Sequence, residues 1–256
     1  MSLQTFKRLE KKLLIDEKLL PRFIEGISEY MDPDEFNVGG KPYHICNLYF
    51  DNDNDDVIRH SVSKPKFKEK LRMRSYGVPN DDTKVFIELK KKTYGVGTKR
   101  RAKIKLSDAK KYIETGIHPE NLSYLDERVL REIDYFRDTY KVYPKVYISY
   151  MRNAYFGKDD KNLRLTIDRE ILTRRYDVSL DMGSYGEPIL PDGKVLIEVK
   201  FAGVVPLWLA HLMDELGLSF GTFSKYGVEF KKLKYRQVFE EYIEENESEV
   251  INNGMA

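Results

Sequence analysis

Between Lys66 and Arg74 charge and apolar character alternate almost residue by residue, and this segment constrains the fold more than any other. Successive side chains of a β-strand point to opposite faces. Extended, the segment places Lys66, Lys68, Lys70, Arg72 and Arg74 on one face. Phe67, Leu71 and Met73 fall on the other, with Glu69 as the exception.

The same period recurs along the chain. Arg8, Glu10 and Lys12 alternate with Leu9, Lys11 and Leu13. Phe86, Glu88, Lys90 and Lys92 alternate with Val85, Ile87 and Leu89. Lys99, Arg101, Lys103 and Lys105 alternate with Arg100, Ala102, Ile104 and Leu106. Arg164, Thr166 and Asp168 interleave Leu163, Leu165 and Ile167, and Leu196, Glu198 and Lys200 interleave Val195, Ile197 and Val199. Ile148, Tyr150 and Arg152 follow the pattern less cleanly, and the run from Tyr43 to Phe50 is rich in β-formers before a turn at Asp51 and Asn52. This predicts about eight strands, mostly antiparallel because many of the links are short.

Helical spacing lies between them. Leu19, Leu20, Phe23, Ile24 and Ile27 predict a helix over 16–30, regular from Pro21. Ser107 reads as the cap of a helix over 108–115 closed by Gly116. Further helices are predicted over 121–140, 206–216 and 238–249.

Composition narrows the class. A hydrophobic fraction of 41%, with 18 Tyr and 13 Phe, supplies a folded core and excludes wholesale disorder. The chain reads as one domain over 1–250 with a disordered tail over 251–256. Its single cysteine, Cys46, excludes a disulfide framework and a cysteine-rich zinc site; it reads as a small buried hydrophobe and suits a reducing, cytoplasmic setting. No apolar run approaches the roughly 20 residues of a membrane-spanning helix. With 44 Lys+Arg against 42 Asp+Glu, the net charge of +2 argues against a chain that coats nucleic acid. The four histidines are scattered without ligand spacing. The tyrosines read as wall packing.

An ordinary antiparallel sheet with its charged face in water is the plain alternative. Solvent faces usually mix signs. Here one strand aligns five cations, and several amphipathic helices need an apolar surface to cover. Helices on the outside of a closed barrel, with the charged faces inward, satisfy both and remove the sheet edges. Two like charges about 4 Å apart repel by roughly 4 kcal/mol at an effective dielectric near 20. The carboxylates on these faces are too few to balance the cations, so the expected occupant is a polyanion, a phosphate chain above all.

At this point the residues resemble a known family. The blocks Phe6–Lys12, Asn47–Asp51, Lys70–Gly77, Glu88–Lys92 with Lys99–Arg101, Tyr150–Arg152, Leu163–Asp168, Leu196–Phe201 and Phe223–Tyr226 run in the order of the VTC domain. That is the polyphosphate polymerase domain of the triphosphate tunnel metalloenzyme superfamily. The resemblance implies an eight-stranded antiparallel barrel with helices packed outside. It also implies transfer of the γ-phosphoryl group of ATP onto a polyphosphate chain, with Mn²⁺ or Mg²⁺ as cofactor.

Carried onto this chain, it places Lys12, Arg72, Arg74, Lys90, Arg152, Arg164 and Lys200 at the reacting phosphates. Lys92, Lys99, Arg101, Lys225 and Arg8 become further phosphate-binding positions. Glu198 becomes the metal ligand. Glu10 and Glu88 are either further ligands or internal ion-pair partners of Lys12 and Lys90. In this superfamily two glutamates precede a lysine on the first strand, whereas here Arg8 stands at the first of those positions, ahead of Glu10 and Lys12. One carboxylate is thereby lost, which weakens the cyclase and hydrolase readings. An inorganic triphosphatase and a non-catalytic polyphosphate-binding module remain as alternatives. An RNA-binding sheet would need aromatics stacked between basic residues, and the basic faces largely lack them.

Overall fold

The computed structural model describes the backbone of residues 8–254 and the side chains of residues 9–240. The strands are β1 (Arg8–Asp16), β2 (Met31–Pro33), β3 (Tyr43–Asp51), β4 (Phe67–Tyr76), β5 (Lys84–Thr93), β6 (Val96–Lys105), β7 (Tyr143–Gly157), β8 (Arg164–Arg174), β9 (Glu187–Pro188) and β10 (Lys194–Ala202). The helices are α1 (Leu20–Ser28), α2 (Asp56–Val62), α3 (Leu106–Thr115), α4 (Tyr124–Tyr140), α5 (Leu207–Glu215) and α6 (Lys225–Gly254). All strand pairings are antiparallel, in the order β1-β10-β8-β7-β3-β4-β5-β6, with β2 added to β7 and β9 to β8.

The expected closed eight-stranded barrel does not form. The described residues make one open ten-stranded sheet, in which β1 and β6 end the hydrogen-bonded path without meeting. Both edges are occupied in other ways. Gly221 donates its backbone N–H to the Lys12 carbonyl at 2.7 Å, an isolated bridge on the free side of β1. The edge strand β6 exposes Lys99, Arg100, Arg101 and Lys103, and charge along an edge resists further pairing. The sheet is nevertheless curled. Lys90 on β5 lies in the fields of Glu10, Lys200 and Glu198 on β1 and β10, although four strands separate β10 from β5.

The apolar side of the alternation faces outward onto helices, as period two requires. Leu13, Ile15, Leu165, Ile197 and Val199 are buried with Phe23 and Ile27 of α1 and Leu209 and Met213 of α5. Leu71, Met73, Ile87, Leu89 and Ile104 are buried with Tyr112 of α3 and Ile133 and Phe136 of α4. Pro21 sits in the first turn of α1. α3 starts at Leu106 after Lys105, so Ser107 is not its cap; Gly116 closes it at φ 76° as expected. α4 begins later than predicted because the Ser123 hydroxyl accepts the Asp126 N–H.

Not every helix lies outside. Ile58 of α2 and Tyr226 and Phe230 of α6 share a buried cluster with Ile45, Ile148, Ile171 and Leu196, which stand in the inward register of the sheet. α6 begins at Lys225, ahead of the predicted 238, and its first turns cover one end of the concave face. The predicted tail from 251 falls on the last turn of this helix and on residues 255–256, which lie outside the described residues. No helix among the described residues is long and apolar enough to cross a membrane.

Candidate functional site

Register builds the centre of the concave face. β1 and β10 pair Lys12 with Glu198 and Glu10 with Lys200, so one face receives two cations and two carboxylates. Lys12 Nζ lies 3.2 Å from both Glu10 Oε1 and Glu198 Oε2. Lys200 Nζ lies 2.8 Å from Glu198 Oε1 and 3.5 Å from Glu10 Oε2. Burial alone would raise the Glu198 carboxyl, but Lys12, Lys200 and Lys225 outweigh it and hold the group well below the usual carboxylate range. Burial likewise opposes the charge on Lys12, and Glu198 and Glu10 more than restore it.

On β8, Asp168 is fully buried between two cations. Arg152 of β7 donates Nε–H and Nη2–H to its two oxygens at 2.6 and 2.8 Å, and Lys225, the first residue of α6, reaches Oδ2. Arg164 pairs with Lys200 in register, and Thr166 with Glu198. The Arg164 Nε and the Thr166 hydroxyl are buried without a partner. The Arg164 guanidinium lies toward Asp34 (3.8 Å) and over the Phe156 ring (4.9 Å), whereas the orphaned Thr166 hydroxyl, on the register partner of Glu198, marks a place that a polar ligand would complete.

The third part comes from β3 to β6. Arg72 clamps Glu88 through Nε–H (3.0 Å) and Nη2–H; Lys99 approaches the other Glu88 oxygen at 3.3 Å. Burial would raise the Glu88 carboxyl, yet Arg72 and Arg74 bring it down to about 2. Arg74 donates to Asn47 Oδ1 (2.8 Å) and to the Tyr150 hydroxyl (3.0 Å). Lys70 points over the Tyr226 ring at 5.6 Å, and burial lowers it to about 8. Lys90 is reached by water yet crowded by protein, and desolvation followed by repulsion from Lys200 and Arg72 lowers its pKa.

Lys12, Arg72, Arg74, Lys90, Lys99, Arg152, Arg164, Lys200, Lys225, Glu10, Glu88 and Glu198 thus share the inner side. Arg101 joins them, over the Phe86 ring at 4.7 Å, whereas Arg100 turns outward to Glu132 of α4 at 2.9 Å. That settles the register of β6. Lys92 stands opposite Lys68 and Gly97 at the end of the β5–β6 hairpin, one inward position beyond Lys90. The backbone of Arg8 pairs with Ala202, and its side chain lies outside the described residues. Asp168, Lys70 and Tyr150 were placed on the charged face by alternation but given no site role, and Asn47 and Tyr49 were not singled out at all. Alternation marks the face of Asp168 and Tyr150 but not their partners, and Tyr49 lies in a β-rich run without a charged alternation.

A divalent cation fits one place. Among the described residues no three carboxylates, imidazoles or thiols converge. Glu10 and Glu198 face each other through shared ammonium groups, with the unpartnered Thr166 hydroxyl beside them. Mg²⁺ and Mn²⁺ accept one or two carboxylates when phosphate and water supply the rest. Glu88 is held in the separate Arg72–Lys99 cluster.

Fold and site together define an open antiparallel sheet whose concave face gathers cations and carboxylates. The chain belongs to the VTC domain family, whose model matches residues 7–234. Among solved structures, a putative adenylyl cyclase from Hippeastrum, described as revealing a dominant triphosphatase activity, is 20% identical over 86% of this chain and 94% of its own, with a TM-score of 0.50. A putative adenylate cyclase from Bacillus halodurans is 14% identical over 85% of this chain and 95% of its own, with a TM-score of 0.49. At 20% identity the likeness to the Hippeastrum protein is one of fold. No curated protein matches the chain.

Proposed function

We propose that the chain is a metal-dependent phosphotransferase that moves the γ-phosphoryl group of ATP onto a polyphosphate chain lying on the concave face. The observation that carries this reading is the Glu10–Lys12–Glu198–Lys200 quartet set in an excess of inward cations, with Thr166, the register partner of Glu198, holding an unpartnered hydroxyl. Phosphoryl transfer asks a protein mainly for alignment and charge neutralisation. Arg152, Arg164, Arg72 and Arg74 hold phosphate oxygens with guanidinium forks, and Lys12, Lys90 and Lys200 act as point charges. Glu198 and Glu10 would hold the divalent ion, which supplies Lewis-acid neutralisation of the phosphate oxygens. The terminal phosphate of the acceptor chain is already anionic, so no side chain has to remove a proton. VTC membership supports this reading, and the reaction requires a compartment that contains ATP, such as the cytoplasm.

The decisive experiment incubates the protein with ATP and Mn²⁺ or Mg²⁺ and resolves products on a gel. Long acid-labile chains that vanish in Glu198→Ala support the proposal. Orthophosphate alone, released also from tripolyphosphate, would replace it with an inorganic triphosphatase; the Hippeastrum protein is described as having a triphosphatase activity. Salt-sensitive binding without turnover under either metal would leave a polyphosphate-binding module.

A further inference from the structure

One end of the concave face carries rings as well as cations. Phe36, Tyr43 of β3, Tyr76 of β4 and Phe86 of β5 follow one another at centroid separations of 6.3, 6.1 and 6.0 Å. Phe36 is 65% exposed and Tyr76 is 53% exposed, so these rings are not core. Basic groups interleave them. Arg101 lies over the Phe86 ring at 4.7 Å and Lys103 at 5.6 Å, and Tyr43 sits in the fields of Arg152 and Arg164. The sequence reading expected few rings among the cations; tertiary structure gathers them from separate strands.

The arc is continuous with the phosphate-binding face. Phe86, Glu88 and Lys90 occupy successive inward positions of β5, so Lys90 stands about 14 Å along the strand from Phe86, a span suited to a ribose and a triphosphate. The other part of the face is covered by Tyr226 and Phe230 of α6. A short ligand with one flat ring and one polyanionic end matches this layout. A bare phosphate chain has no use for the rings, and a long strand laid along the face would meet α6.

We infer that Tyr76 and Phe86, with Tyr43 and Arg101 beside them, form a nucleobase subsite that stacks the base of a nucleoside triphosphate while its phosphates reach the cations. The inference rests on the phosphate-handling reading above and deepens it by giving the base of the nucleoside triphosphate a place at the ring-bearing end of the face. It reverses the order that charge alone dictates, because tripolyphosphate is the more highly charged ligand.

The test measures ATP and tripolyphosphate binding calorimetrically in EDTA, where turnover is blocked. ATP is expected to bind roughly tenfold tighter, the scale of one base–aromatic stack. Tyr76→Ala and Phe86→Ala should each remove most of that advantage and leave tripolyphosphate binding unchanged. Tyr76→Trp should keep the advantage and show fluorescence quenching by ATP but not by tripolyphosphate; this variant retains a ring, so its result does not depend on truncating one. Equal affinities in the wild type, or variants that weaken both ligands alike, overturn the subsite and leave the phosphate site standing. Preference for a single-stranded oligonucleotide over ATP also overturns it. Failure of both small ligands to bind removes the inference together with the reading beneath it.

Discussion

Arg152 and Asp168 form a two-pronged ion pair of 2.6 and 2.8 Å, both side chains buried on the inner side of adjacent strands. The same carboxylate also neutralises Lys225, so one residue ties β7, β8 and the start of α6 together. Removing one member of a buried pair strands the other charge at a cost of about 3–5 kcal/mol. Asp168→Asn should therefore lower the unfolding free energy by about that amount in urea titrations. Saturating tripolyphosphate should recover part of the loss by supplying the missing negative charge. A variant as stable as the wild type would show that Asp168 does not anchor α6.

Glu198→Gln tests the metal-holding role without changing side-chain volume. The amide leaves Lys12 and Lys200 facing each other with less negative charge between them. Metal-dependent product should fall at least roughly a hundredfold, the scale for one preorganised electrostatic group at a reacting centre. Metal-free tripolyphosphate binding should tighten, because a repelling carboxylate is gone. Weaker metal-free binding would contradict this arrangement.

Two groups predict how stability responds to alkaline pH. Burial brings Lys70 down from 10.5 to about 8. Tyr150 falls from 10.0 to about 8 because Arg74, Arg152 and Lys225 outweigh the burial that would raise it. Between about pH 8 and about pH 10 the unfolded chain therefore holds more protons than the folded one, and stability rises with pH. Lys70 opposes folding below about 8, and the Tyr150 contribution is lost as pH falls through about 8. Denaturant titrations in phosphate-free buffer should show that rise, flattened in Lys70→Met and Tyr150→Phe. A flat wild-type profile would refute it.

His118 acts in the opposite direction and away from the site. Its ring nitrogens lie 3.0 Å from Glu127 and 2.7 Å from Asp134 of α4. Desolvation disfavours its charged form, yet the hydrogen bonds it donates to both carboxylates raise its pKa above the ordinary 6.5. The stabilisation is fully present below about 6.5 and fades as pH rises through the folded value. His118→Gln should remove that slope near neutrality without altering ATP or tripolyphosphate binding. A slope that persists in the variant would assign it to another group.

Much of the sheet was legible because period two is a local property. The runs around Arg72, Glu88, Arg101 and Glu198 became β4, β5, β6 and β10, and the inward positions read from alternation are those that meet across the strands. Local chemistry also marked the Gly116 end of α3 and Pro21 in the first turn of α1. Other features were less legible. Alternation does not say what lies beside a strand's outer edge, so the Gly221 bridge on the free side of β1 had no signature. The start of α6 mixes Lys225, Tyr226 and Glu229 without a simple apolar stripe, because its neighbours are an ionic site on one side and Ile148 and Leu196 on another.

By itself the sequence determined which residues share a face and that cations outnumber carboxylates on it. Tertiary structure decided which carboxylate answers which cation, where Glu10 and Glu198 meet, and how four rings from separate segments gather at one end. The reason is range. Strand periodicity depends on the two neighbours of each residue, whereas curl, edge partners and the seating of α6 depend on contacts between segments as far apart as Asp51 and Tyr226, whose hydroxyl donates to that carboxylate at 2.7 Å.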